Sequence, residues 1–190
     1  MNSRRQIENR DNTQRLFFAL WPNDAVRSNI AELLNQLALH IGARKVCVAN
    51  LHLTLVFVGP VHAAMRACME HAAADVCSDR FVLTLTHTGH WKQPRIVWLA
   101  PTRVPPALLC LVRNLENALV PCHIASEVRP FRPHITLAHK VKDHPARQTV
   151  AALDWNVESF ALVESCSEAR GVSYHVLNSW PLHKASPEPN

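Results

Sequence analysis

A mixed fold of strands and helices in two repeating halves is what this sequence predicts, and three observations predict it. Short apolar or alternating runs of strand length are interleaved with longer runs whose apolar residues recur at helical spacing. No low-complexity tract interrupts them. The third observation is a repeat: L-H-L-T-L-V-F-V-G over Leu51 to Gly59 and P-H-I-T-L-A-H-K over Pro133 to Lys140 share His-x-Thr-Leu, with the histidines 82 residues apart.

The first element is Arg15 to Trp21 (R-L-F-F-A-L-W), an apolar run fit for a buried strand. Pro22, Asn23 and Asp24 end it and can cap a helix starting there. Val26, Ile30, Leu33, Leu34, Leu37 and Ile41 predict an amphipathic helix from Asp24 to about Ile41, stopped by Gly42. Lys45 to Ala49 reads as a short strand or extended segment and Leu51 to Val58 as a strand. Beyond Gly59 and Pro60, the Ala-rich stretch from His62 to about Cys77 predicts a second helix. Phe81 to Thr88 and Arg95 to Ala100 read as strands joined by a loop over Gly89 to Pro94 that carries His90, Trp91 and Lys92. Val104, Leu108, Leu111, Val112, Leu115 and Leu119 define a third helix, with Pro105 and Pro106 in its first turn and Pro121 at its end. The basic, proline-punctuated Arg129 to Pro133 leads into the second motif strand, His134 to His139. Lys140 to Ala146 reads as a loop and Trp155 to Ser165 and Val172 to Leu182 as the last strands, with Glu164, Glu168 and Arg170 as a turn.

Length and composition set the bounds. A chain of 190 residues can bury a sizeable core, as one domain or as two small lobes around a cleft. With 48% hydrophobic and 18% charged residues it is globular in composition. A formal charge of +5 favours anionic partners without naming one. Residues 1–14 read as a flexible polar lead-in without the apolar core of a signal peptide, residues 15–183 as the folded domain, and residues 184–190 as a flexible tail. No apolar run has the length of a membrane span. Cys47, Cys68, Cys77, Cys110, Cys122 and Cys166 are widely spaced, so we expect buried free thiols and a cytoplasmic protein.

The repeat carries the chemistry. On a strand, His52, Thr54 and Val56 point to one face and Leu51, Leu53, Leu55 and Phe57 to the other; His134 and Thr136 oppose Ile135 and Leu137 in the same way. Random placement of this chain's His, Thr and Leu gives about 0.06 copies of the motif, against two observed. One copy alone reads as an ordinary strand with a buried or surface histidine; the repeat is what that reading leaves unexplained. Two imidazoles with ordinary pKa values near 6.5 can share proton removal and proton donation at neutral pH, each worth roughly 10²- to 10⁴-fold in rate. The threonine hydroxyls can hold non-bridging phosphate oxygens in line between them.

His52-Leu53-Thr54-Leu55 and His134-Ile135-Thr136-Leu137 carry a family resemblance, together with Leu16-Phe17-Phe18-Ala19, Asn50, Phe57-Val58-Gly59 and Phe131-Arg132-Pro133. From about Arg15 to Leu182 the chain resembles the 2H phosphoesterase superfamily, and within it the bacterial RNA 2′,3′-cyclic phosphodiesterases, also called 2′-5′ RNA ligases. The resemblance implies a bilobal α+β fold, two pseudo-symmetric lobes each with an antiparallel sheet backed by helices, and a cleft between them. It implies metal-independent, cofactor-free hydrolysis of a terminal RNA 2′,3′-cyclic phosphate to a 2′-phosphate by a monomer, with reversible 2′-5′ ligation as a weaker activity. His52 and His134 would be catalytic and Thr54 and Thr136 phosphate-binding. The chain departs from the family at His139, where an arginine is usual, so Arg132 or Lys140 is expected to compensate.

Other residues carry less. Arg129, Arg132, Lys140 and Lys142 are either a phosphate-binding rim or a solvated basic face. Phe18 and Trp98 are expected in the core, and Trp91 is the better candidate for stacking a base. His87 with His90, and His139 with His144, lack the convergent ligands that a zinc site requires. A phosphodiesterase of another small cyclic phosphate, or an RNA-binding module without turnover, are the rival readings.

Overall fold

Strand β1 (Gln14–Leu20) is buried from Leu16 onward, which places it in the middle of a sheet rather than at an edge. The computed structural model describes residues 13–37, 39, 42–125, 129–143, 147–168 and 171–183. The expected tail lies outside the described residues, as does the expected lead-in up to residue 12, and Gln14 already belongs to β1. After β1 come α1 (Asp24–Gln36), β2 (Arg44–Lys45), β3 (Leu53–Val61), α2 (Ala63–Ala74), β4 (Phe81–Trp91), β5 (Ile96–Pro101) and α3 (Pro106–Leu119). The chain closes with β6 (Ile135–His139), β7 (Arg147–Val157), β8 (Ser159–Glu168) and β9 (Gly171–Pro181).

The strands form one antiparallel sheet in the order β7-β4-β5-β6-β3-β1-β8-β9, with β2 beside β6. Two four-stranded halves, β7-β4-β5-β6 and β3-β1-β8-β9, meet through one ladder pair, Leu53 with Ile135. This is the α+β arrangement of two antiparallel halves that the resemblance implies. One apolar cluster runs through both, from Phe18 and Phe160 to Leu83 and Leu99. α3 covers it with Leu108, Leu111, Val112, Leu115 and Leu119, and α1 with Val26, Ile30 and Leu34. Among the described residues no helix is long and apolar enough to cross a membrane.

Local chemistry explains where elements stop. The Asn23 side chain accepts the Val26 N–H at 3.0 Å and caps α1, the role expected of this Pro-Asn-Asp corner. α1 ends at Gln36, before the expected Ile41: Leu37 is already extended (ψ 122), and its own N–H closes on the Leu33 carbonyl. β4 runs three residues past Thr88, so Trp91 ends a strand instead of riding a loop, and the reversal is the turn over 92–95. The stretch expected as one strand from Trp155 is two, broken at Glu158, and β7 begins well before it at Arg147. Glu164 and Glu168 lie in β8, not in a turn; Arg170 and His144 lie outside the described residues.

The expectation of six free, buried thiols is corrected. Cys68 on α2 and Cys122, in the 3-10 turn after α3, are joined as a disulfide with Cα atoms 5.8 Å apart, because packing these two helices together brings the middle of α2 and the turn that ends α3 within bridging distance. Cys47, Cys77, Cys110 and Cys166 are free, and Cys47 and Cys77 are exposed.

Candidate active site

The ladder pair that joins the two halves also organises the motifs. Leu53 and Ile135 are fully buried partners, so the residues on either side of each turn to the opposite face of the sheet. Antiparallel register then sets His52 beside Thr136, and Thr54 beside His134. Each imidazole therefore neighbours the hydroxyl of the other motif, about a local two-fold axis through the Leu53 and Ile135 pair.

The symmetry extends to an irregularity that the sequence does not reveal. β1 pairs Ala19 with Thr54 but Phe18 with Val56, skipping Leu55; β5 pairs Trp98 with Thr136 but Val97 with Ala138, skipping Leu137. A β-bulge thus follows the threonine of both motifs. Leu55 and Val56 both turn inward, as do Leu137 and Ala138, and the next residue returns to the cleft face. Phe57, expected among the apolar residues opposite His52, is for this reason 55% exposed on the cleft side, with Arg15 stacked over its ring at 5.2 Å. Its symmetry mate is His139, likewise exposed.

The two imidazoles are held alike. His52 Nδ1–H donates to the Asn50 carbonyl at 2.7 Å and His134 Nδ1–H to the Arg132 carbonyl at 2.7 Å. A carbonyl only accepts, so each neutral ring carries its proton on Nδ1 and keeps a lone pair on Nε2 for the cleft. Burial holds both pKa values below the ordinary histidine range, and in each case the carbonyl contact opposes the shift; His134 lowers His52 a little further. His52 is boxed by aromatic rings: Phe17 at 4.8 Å, Trp21 stacked at 5.8 Å and Tyr174 edge-on at 4.9 Å. His134 meets only Trp91 among these ring contacts, edge-on at 4.7 Å.

Two adjoining cavities share Thr54 and Phe57. The larger, about 650 Å³, holds His134, Trp91 and Phe131 with Arg129 and Arg132 at its rim. The smaller, about 330 Å³, holds His52 with Phe17, Tyr174 and Arg15. Trp91 and Arg132 are thus gathered into the site as the sequence suggests. Phe18 is in the core, but Trp98, expected there too, is half-buried on the cleft face beside Thr136. Lys140 turns out of β6 with φ +58. The residue set directly opposite His139 is neither Arg132 nor Lys140 but Arg44 of β2, whose charge also holds the His139 pKa down, after the effect of burial. Sequence reasoning missed Arg44, as it missed Arg15, Phe17, Trp21 and Tyr174; only Phe17, in the quoted L-F-F-A run, carried any signal. His87 and His90 project to opposite faces of β4, the first against Trp98 and the second donating Nε2–H to the Val141 carbonyl. Among the described residues no group of three His, Cys, Asp or Glu side chains is placed to hold a metal ion.

Two Nδ1-anchored imidazoles and two threonine hydroxyls thus stand together at the seam of a doubled antiparallel sheet, the arrangement of a two-histidine fold. The sequence model of the 2′-5′ RNA ligase superfamily matches residues 22–167, and the chain belongs to that family. The RNA 2′,3′-cyclic phosphodiesterase of Escherichia coli K12 is 34% identical over 89% of this chain and 97% of its own length. That of Thermus thermophilus is 32% identical over 88% and 90%. Among solved structures, Escherichia coli LigT complexed with 3′-AMP superposes with a TM-score of 0.83 at 31% identity, covering 91% of this chain and all of that one.

Proposed function

We propose that this chain is an RNA 2′,3′-cyclic phosphodiesterase in which His52 and His134 are the acid/base pair and Thr54 and Thr136 hold the phosphate. The observation that carries the assignment is the two-fold placement of each Nδ1–H-anchored imidazole beside the other motif's threonine. A cyclic phosphate bound on the axis accepts hydrogen bonds from both hydroxyls and lies between the two Nε2 atoms. One neutral imidazole takes a proton from water as its oxygen attacks phosphorus opposite the 3′-oxygen. The bond from phosphorus to the 3′-oxygen breaks, and the other imidazole, protonated, delivers its Nε2 proton there. The product is a 2′-phosphate with a free 3′-hydroxyl. A 5′-hydroxyl in place of water gives a 2′-5′ linkage and a free 3′-hydroxyl by the same steps, and return attack of that 3′-hydroxyl on phosphorus releases the 5′-hydroxyl and reforms the cyclic phosphate, which accounts for ligation as a reversible second activity. Both proton transfers and both phosphate contacts come from one chain, so the monomer is the working unit, and no metal or other cofactor is needed. An oligoribonucleotide ending in a 2′,3′-cyclic phosphate is expected to open to the 2′-phosphate in EDTA. No product, or a 3′-phosphate product, would overturn the proposal.

The lowered pKa values give a signed pH dependence. The free enzyme needs one imidazole neutral and one protonated, and both titrate below the ordinary value near 6.5, so the bell of log(kcat/KM) against pH peaks on the acid side of that value. A bound phosphate anion raises the pKa of the donor, so the alkaline limb of kcat lies at higher pH than that of kcat/KM. Coincident profiles centred above neutrality would contradict this.

A further inference from the structure

Beyond the two motifs, the cleft face of the β7-β4-β5-β6 half carries an ordered row of side chains that the reaction on a terminal phosphate does not use. The registers place Thr136 of β6, Trp98 of β5, Gly89 of β4 and Arg147 of β7 directly in line across adjacent strands. The Trp98 indole lies over the Gly89 backbone: a Cβ at residue 89 would sit 2.3 Å from its ring, so only glycine lets the indole lie flat against the sheet. Trp91 packs against Trp98 at 5.4 Å and touches His134 on its other side, while His87 meets Trp98 edge-on at 5.4 Å. Partly exposed indoles therefore run outward from His134 without a break. At the end of the row the exposed Arg147 guanidinium donates to the Thr102 hydroxyl at 3.3 Å, and it has no carboxylate within ion-pairing distance among the described residues.

The spacing indicates what the row reads. Thr136 and Arg147 are three strand spacings apart, about 14 Å, which is farther than one nucleotide held at the two motifs extends. Aromatic faces followed by an exposed cation are what a single strand needs, bases stacking on rings while the backbone meets charge. The larger cavity lies at the seam and reaches the inner end of this row through His134 and Trp91.

We propose that this row is a track for the RNA chain on the 5′ side of the terminal cyclic phosphate, with Trp91 and Trp98 as a stacking platform and Arg147 as the contact for an upstream backbone phosphate. The proposal rests on the reading of the site as an RNA-end phosphodiesterase and makes the enzyme select oligonucleotides over cyclic mononucleotides.

The test compares kcat/KM on a tetranucleotide and on a mononucleotide, both ending in a 2′,3′-cyclic phosphate, and reads their ratio. Arg147→Ala is expected to lower that ratio about 5- to 10-fold, as for an exposed charge-assisted contact, with Arg147→Lys restoring most of it. In parallel, binding of a tetranucleotide with a plain 3′-hydroxyl end, followed by fluorescence anisotropy across a salt series, should lose about 0.7 in its slope of log K against log salt, one phosphate's worth. A ratio within twofold of wild type together with an unchanged salt slope overturns the track. A wild-type protein that binds the tetranucleotide but opens no cyclic phosphate overturns the phosphodiesterase reading instead, and the binding arm then still decides the track.

Discussion

Replacing either His52 or His134 with alanine lowers kcat on a 2′,3′-cyclic phosphate by about 10²- to 10⁴-fold, the range for loss of one positioned proton donor or acceptor. KM should change little by comparison, because in the proposed assignment the phosphate is held by the threonines and not by the imidazoles. The double variant should lose far less than the product of the two single losses, since a base without its acid, or an acid without its base, no longer completes the in-line displacement. The two single variants should also differ in their pH profiles. Whichever loses the acid limb has lost the base, and whichever loses the alkaline limb has lost the acid. Single-turnover rates on a labelled oligonucleotide, measured from pH 5 to pH 9, check all three points. Full activity in either variant would remove that histidine from the reaction and leave the two-fold arrangement without a chemical role.

The motif pair was legible because period-two alternation is a local property. Leu53 inside and His52 with Thr54 outside follow from strand geometry, and they hold in the structure. The bulges at Leu55 and Leu137 were not legible, because a bulge is a property of two strands read against each other, and L-V-F and L-A-H look like continued alternation. Simple alternation therefore puts Phe57 and His139 on the inner face, whereas both are exposed. Trp98 was misread for a related reason. It lies in R-I-V-W-L-A, which reads as a buried strand, yet its face is set by pairing with Thr136 and by a glycine across the ladder. Tyr174 approaches the site from a chain segment far from either motif, and Arg44, though close to His52 in the chain, reaches His139 through the pairing of β2 with β6. β7 escaped notice because R-Q-T-V-A-A-L-D-W-N-V is largely exposed and offers no clean apolar stripe. The pairing of Cys68 with Cys122 depends on two helices packing, which cysteine spacing does not encode.

The pair at the two-fold axis ties stability to catalysis, and Leu53→Ala should separate it from the rest of the core. Leu53 is fully buried, so its truncation is expected to cost about 2–5 kcal/mol, seen as a lower urea midpoint. Phe160→Ala removes an equally buried side chain from β8, in the outer part of the same half, and should cost about 3–5 kcal/mol. The two variants differ in what the surviving folded molecules can do. Leu53 is flanked by His52 and Thr54 and pairs with the strand bearing His134 and Thr136, so a shifted backbone there misplaces donor, acceptor and phosphate contacts together, and kcat falls. Phe160 packs against Phe18 and Trp180, away from the imidazoles, and its loss should leave kcat per folded molecule within about twofold of wild type. Because one apolar cluster spans both halves, each variant should still unfold in a single transition. Fluorotryptophan signals test this directly: Trp180 reports on β9, and Trp98 and Trp155 on β5 and β7. Coincident midpoints support a sheet that folds as one unit through the Leu53 and Ile135 pair, whereas separate midpoints in Leu53→Ala would mean that each half holds itself together and the axis is only a seam.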